Sequence, residues 1–329
     1  MNFGSVEKIA AAILYEGYIL YPYRPTAIKN RQRWNFGTLY PRVYAEAQRP
    51  EEPFRLATEC LATADAGAKL DVRVSFLQLI RQGQSLSTAD AETLKLLTDP
   101  SLGWDEGVER TSEHSLQLSD LIAQPLSLAL RIDATGLPEG RSNDVAPNLQ
   151  IELTIEAESL PGGAYKLRIE VQNTSPLASC AAATRDEALP VSLVSAHLLL
   201  GITGGAFVSL LDPDPAFDEA AATCCNTGVF PVLVGEEPDR SMLFCSPIIL
   251  YDYPKIAPES EGDFFDGTEM DEMLTLRVLT LTDAEKQEMR NGDPRARRIL
   301  ERTEALTDDS MLKAHGVIRG MREIRGNGL

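Results

Sequence analysis

The tightest constraint on the fold is a run of strict two-residue alternation. Leu149, Ile151, Leu153 and Ile155 are separated by polar residues, and after the SLPGGAY stretch the pattern resumes at Leu167, Ile169 and Val171. A period of two places every second side chain on one face of a strand. Two such runs joined by a Pro-Gly-Gly turn form an antiparallel hairpin with one buried and one wet face. Further strand-like apolar runs are expected at residues 71–79, 192–200, 206–211, 230–234, 247–251 and 274–279. Short strands separated by Gly and Pro predict a β-rich α+β fold with an antiparallel β-sandwich-like core. The GITGG stretch at 201–205 breaks the apolar pattern and is expected to make a hairpin turn.

Helical signals lie near the ends of the chain. Ser5 is placed to cap a short helix with Ile9, Ala12 and Ile13 on one face. Residues 88–97 read as a second amphipathic helix. Thr282 and Glu285 have the spacing of a capping box, Asn291-Gly292 stops that helix, and Pro294 opens another from its tolerated first-turn position. A last helix is expected over 308–324. The predicted division is therefore an N-terminal aromatic and basic segment with a mixed α/β portion over 1–127, the sandwich-like core over 128–282 and a helical tail over 283–329.

No apolar run approaches the ~20 residues that span a bilayer. Glu7 and Glu16 bracket the apolar stretch near the start, which is not a secretory pattern, so the cytoplasm is the expected location. The five cysteines, odd in number and sparse for 329 residues, fit reduced thiols.

The charge is unevenly spread. The net charge is −18, yet residues 1–49 carry +4 and residues 283–329 carry +1, which leaves −23 on the middle of the chain. A field of that sign repels phosphate backbones and anionic lipid, so neither a nucleic acid nor a membrane is an expected partner. Residues 1–49 also hold nine of the chain's 21 aromatic side chains. Arg, Tyr and Trp are the types enriched at recognition hot spots. Arg24, Arg31, Arg33, Trp34 and Tyr40 are the candidate protein-binding residues, in an element that either faces a partner or docks internally.

The densest acidic stretch, residues 252–272, holds eight acids and one base, Lys255. Hard cations take several oxygen ligands from a flexible loop, so Asp252, Glu259, Asp263, Asp266 and Glu269 are candidate ligands for a divalent cation. The alternatives are a solvated loop, or one that pairs with Arg24, Lys29, Arg31 and Arg33. No resident cofactor is expected otherwise. Cys180, Cys224, Cys225 and Cys245 lack the paired spacing of zinc and iron–sulfur sites. His197 shares a strand face with Ser195 and Leu199. It reads as a core or rim histidine, or as an acid–base group if Asp186 or Glu187 reaches it.

Three segments carry a resemblance. KIAAAILYEGYILYPYRP with KNRQRWNFGTLYP, TRDEALPVSLVSAHLLLGITGGAFVSLLDP, and ILYDYPKIAPESEGDFFDGTEMDEMLTLRVLTLTDAEKQEMR together resemble a bacterial protein family encoded with nickel–iron hydrogenase gene clusters of the actinobacterial type. The resemblance implies a hydrogenase accessory or maturation role, with a hydrogenase subunit or maturation factor as partner. The residues themselves point only to an acidic, β-rich binding module. The competing readings are a metal-binding protein or metal-dependent enzyme using the 252–272 loop, and a structural oligomer.

Overall fold

One strand organises the molecule. In the computed structural model, which describes residues 3–4, 6–16, 18, 21–23, 36–81, 105–133, 147–177, 183–255, 271–291 and 294–305, β1 runs over Arg55–Arg81 for 27 residues. It follows two short helices, α1 (Glu7–Leu14) and α2 (Arg42–Ala45). Then come β2 (Asp105–Gln117), α3 (Leu118–Ala123), β3 (Leu126–Ile132), β4 (Leu149–Leu160) and β5 (Ala164–Asn173). The order continues with α4 (Arg185–Ala188), β6 (Val194–Val208), α5 (Asp218–Ala222), β7 (Phe230–Leu233) and β8 (Met242–Ser246). The chain divides into two compact units, Met1–Tyr18 with Arg31–Lys255, and Ile19–Asn30 with Ile256–Leu329.

In the first unit the eight described strands form one antiparallel sheet; seven follow the order β3-β4-β5-β1-β6-β8-β7, and β2 pairs with β1 off that path. The first half of β1 pairs with β5 (Leu56 opposite Val171) and the second half with β2 (Phe76 opposite Arg110), while β6 runs along the other edge. Leu153 on β4, Val74 on β1 and Cys245 on β8 belong to one buried cluster, so the sheet curls until strands from its two ends share a core. This is the expected β-rich α+β class with a sandwich-like interior, and the predicted 149–171 hairpin is present as β4 and β5. Strands β1 and β2, drawn from residues 55–117, are as much part of this sheet as those that follow.

Alternation sets the faces of the sheet. Val72, Val74 and Phe76 on β1 and Ala196, Leu198 and Leu200 on β6 point into the core. Leu199 and Phe244 point outward, where Phe3, Val6 and Ala10 of the N-terminal segment cover them. Burying side chains of this size contributes roughly 1.5–3 kcal/mol each, which explains why so short a helix stays on the sheet. On α1 Ala10 and Leu14 are buried, and Ile9 and Ile13 of the expected face are half-buried against the same cluster.

Three strand expectations are corrected. The stretch 247–251 is not a strand; the strand is β8, and Pro247, which has no N–H to give a ladder, ends it and leaves Ile249 and Tyr251 exposed. Residues 274–279 lie in a helix, because Leu274 and Val278 are buried four positions apart, the spacing of one helical face. Residues 206–211 are no separate strand, since β6 runs unbroken through GITGG as far as Val208.

That glycine pair is therefore not a turn. Between Ala64 and Lys69 strand β1 bulges against β6, and Gly204, at φ +76°, sits opposite the bulge. A Cβ on Gly205 would stand 2.5 Å from the Thr63 carbonyl oxygen and 2.8 Å from Ile202 Cδ1. Gly205→Ala must push two strands apart and is expected to destabilise the protein by about 2 kcal/mol in urea titrations, as overpacking typically does. Gly67→Ala, with nothing within 4 Å of the added atom, is the control and should be near neutral.

The second unit contributes α6 (Asp271–Leu279), α7 (Asp283–Asn291) and α8 (Pro294–Glu304). The predicted capping box is formed: Glu285 accepts from the Thr282 amide and hydroxyl, and its own amide donates to Thr282 Oγ1. Pro294 opens α8 as expected. Arg290 bridges to Glu304, joining α7 to α8. Arg277 lies 5.5 Å above the Tyr21 ring, a cation–π contact. The helices expected at 88–97 and 308–324 lie outside the described residues.

Candidate functional site

Of the five candidate partner-binding residues, Tyr40 is described, and it faces inward. It is 5% exposed, its ring lies 5.3 Å from that of Tyr44, and its hydroxyl accepts a hydrogen bond from Arg185 Nε at 2.9 Å. Burial raises its phenol pKa. Tyr15 and Tyr18, also buried, meet edge to face at 5.5 Å. Arg24, Arg31, Arg33 and Trp34 lie outside the described residues.

Asp252, the described member of the candidate metal set, is occupied by protein donors. Its Oδ1 accepts from the Leu233 amide at 2.7 Å, and its Oδ2 accepts from the Ser209 hydroxyl. Ser209 in turn accepts from the amides of Leu211 and Asp212. Such a carboxylate fastens the segment after β8 to the end of β6. Glu259, Asp263, Asp266 and Glu269 lie outside the described residues, as does Cys180. Among the described residues no three His, Cys, Asp or Glu side chains gather in a way that could hold a metal ion. Burial pushes the thiol pKa of Cys245 up to about 12 and that of Cys224 to about 11, so both stay protonated.

A second charged cluster stands on the outer face of β1 and β5. Glu59 accepts from Lys166 Nζ at 2.8 Å, Arg168 Nη1 at 3.0 Å and the Cys225 amide at 2.8 Å. Burial alone would raise the Glu59 pKa, but the bonds from Lys166, Cys225 and Arg168 outweigh it and hold the carboxyl below its ordinary value. The cluster anchors the stretch after α5, and with Glu170 also paired to Arg168 it sets two carboxylates against two cations.

Helix α1 roofs a cavity with room for chemistry. The cavity, of about 520 Å³, opens onto the outer faces of β2, β1 and β6. Its polar lining includes Glu7, Arg73, Ser75, Glu109, Glu113 and His197. Arg73 bridges Glu7 at 3.2 Å and Glu113 at 2.7 Å, and its guanidinium lies 4.8 Å over the Phe3 ring. Its Nε is buried without a hydrogen-bond partner. Glu109 Oε1 accepts from the Tyr15 hydroxyl at 2.7 Å, which pins the end of α1 to β2.

His197 forms the back wall, on the face shared with Ser195 and Leu199 as the alternation predicts. It is 1% exposed, stands edge-on to Phe244 at 5.3 Å, and places Nδ1 2.8 Å from the Ser195 carbonyl oxygen. A carbonyl only accepts, so Nδ1 carries the proton and Nε2 carries the lone pair. Burial lowers the pKa to about 4, so the ring is neutral at pH 7. The pairing with Asp186 or Glu187 does not form: Glu187 caps α4 through Thr184, and Arg185 binds Tyr40.

Arg73, Ser75, Glu109 and Glu113 were not singled out in the sequence. The signal available was parity. Once Val72, Val74 and Phe76 are taken as inward, Arg73 and Ser75 must face outward, but which strands stand beside them is a matter of register.

The chain matches no protein-family model and no curated protein. No helix among the described residues is long and apolar enough to cross a membrane.

Proposed function

We propose that this chain is a non-catalytic accessory protein that binds a component of a nickel–iron hydrogenase, a subunit or a maturation factor. The observation that carries the binding part is the seating of the aromatic segment. Tyr15 and Tyr18 on one side, and Leu39, Tyr40 and Tyr44 on the other, are packed into the first unit. Leu39 is further bound to Leu193 through both its amide and its carbonyl. Flanks fixed in this way lower the entropy lost when the residues between them engage a partner, which is where preorganised recognition loops gain affinity. Those intervening residues include Arg24, Arg31, Arg33 and Trp34. Three of the charged groups already described are held within the chain: Arg73 by Glu7 and Glu113, Asp252 by Ser209 and Leu233, and Glu59 by Lys166 and Arg168. The hydrogenase part rests on the family resemblance of the three segments.

The test is affinity capture of co-encoded hydrogenase components by the tagged full-length chain. The Arg31→Ala/Trp34→Ala double variant should reduce capture about ten-fold or more, the loss of at least one hot-spot contact, while the thermal unfolding midpoint stays unchanged. Equal capture by the variant would overturn this reading. So would one equivalent of divalent metal in the purified protein that disappears when Asp263 and Asp266 are replaced.

A further inference from the structure

We infer that the cavity under α1 is a binding site for a small organic cation, a compound presenting an ammonium or guanidinium group. The wall has the room, the polarity and the open valences for it. A volume of about 520 Å³ lies within the range of small-ligand pockets. The four charged side chains on the wall are three carboxylates, Glu7, Glu109 and Glu113, and one guanidinium, Arg73, so the wall carries a formal charge of −2.

The open valences are specific. Antiparallel register sets Thr111, Ser75 and His197 side by side across β2, β1 and β6, in one row on the cavity floor. Ser75 and His197 are 8% and 1% exposed, and neither the Ser75 hydroxyl nor His197 Nε2 has a hydrogen-bond partner among the described residues. Neither atom is sealed off in the interior; both open onto the cavity, where a ligand can supply the partner. Because Nδ1 donates to the Ser195 carbonyl, Nε2 can only accept. Glu109 accepts one bond, from Tyr15 through Oε1, and its Oε2 has no donor among the described residues. The unfilled positions are thus a carboxylate oxygen and an imidazole nitrogen, both acceptors, and a hydroxyl that serves either way. The ligand must bring hydrogen-bond donors and positive charge. An anion would meet the carboxylates, and the Arg73 nitrogens that could hold it are bound to Glu7 and Glu113 or shielded.

The direct test is calorimetric titration of the full-length chain with three probes of increasing donor number, n-butylammonium, 1,4-diaminobutane and agmatine, against 1,4-butanediol as the uncharged control. One-to-one binding of at least one cation, with no binding of the diol, is expected. Glu109→Gln should keep the fold, because the substituted amide oxygen still accepts from Tyr15, and should weaken that binding about ten-fold, the scale of one charge-assisted hydrogen bond. Ser75→Ala should weaken it several-fold. Nitrogen-15 NMR supplies a second readout: the His197 Nε2 resonance should move when the cation is added, as a lone pair does on accepting a hydrogen bond. Failure of all three cations to bind at millimolar concentration would overturn the site. Equal weakening by Glu109→Gln and by Glu158→Gln, an exposed acid on β4, would mark attraction to the overall −18 charge and overturn it as well.

Discussion

Asn173→Leu should lower the unfolding free energy by about 3 kcal/mol. Asn173 is fully buried at the end of β5, and its side chain is a junction of three segments. Nδ2 donates to the carbonyls of Leu39 at 2.8 Å and Val191 at 2.9 Å, and Oδ1 accepts from the Ser175 amide at 3.0 Å. Leucine keeps the branched skeleton, is bulkier, and supplies none of these bonds. Leu39 keeps a second donor in the Leu193 amide. The Val191 carbonyl and the Ser175 amide lose the partners described here, at roughly 1–3 kcal/mol for each buried group. Against a total of typically 5–15 kcal/mol this is a large fraction, visible as a lower midpoint in urea with an unchanged slope. Glu158→Ala, on an exposed position of β4, should change stability by less than about 0.5 kcal/mol. A loss at Asn173 no larger than that control would show that the junction bears no load.

The second large effect is in pH. His197 has a folded-state pKa of about 4 because burial disfavours its charged form, against about 6.5 when exposed. Above pH 6.5 the ring is neutral in both states and contributes no pH dependence. As the pH falls from 6.5 towards 4, the unfolded chain takes up a proton that the folded chain refuses, so stability falls. Below pH 4 both states are protonated and the loss is complete, at roughly 3 kcal/mol. The cavity carboxylates of Glu7, Glu109 and Glu113 and the guanidinium of Arg73 face the same space. The informative quantity is therefore the difference between wild type and His197→Gln, which cannot titrate. That difference, from denaturant unfolding at half-unit pH steps, should slope through the 4–6.5 window and flatten above it. A difference that stays level across the window would mean that the buried ring accepts its proton without cost.

How much was legible follows from which signals are local. The β4–β5 hairpin, the outward face of β6 with Ser195, His197 and Leu199, and the Thr282–Glu285 cap were all readable, because each is a pattern within a few residues. The first half of β1 was not. Its inward positions are Leu56, Thr58, Cys60 and Ala62 and its outward ones Ala57, Glu59, Leu61 and Thr63, a mixture in which small and polar residues blur the contrast on both faces. Residues 274–279 show the opposite failure. Leu274, Leu276 and Val278 satisfy a period of two as readily as one of 3.6, and burial of Leu274 and Val278 decided for the helix.

The sequence by itself determined the β-rich class, the faces of the alternating strands, the acidic middle of the chain, and the histidine's place on a strand face. Hydropathy period, capping chemistry and formal charge are properties of neighbouring residues, so no folding is needed to read them. Only the tertiary structure decided that GITGG is a close crossing of two strands, that the Tyr40 hydroxyl belongs to Arg185, and that Glu7, Arg73, Glu109 and His197 wall one cavity. Those facts depend on cross-strand register and on a sheet that curls, and register joins residues more than a hundred positions apart, beyond the reach of any local pattern.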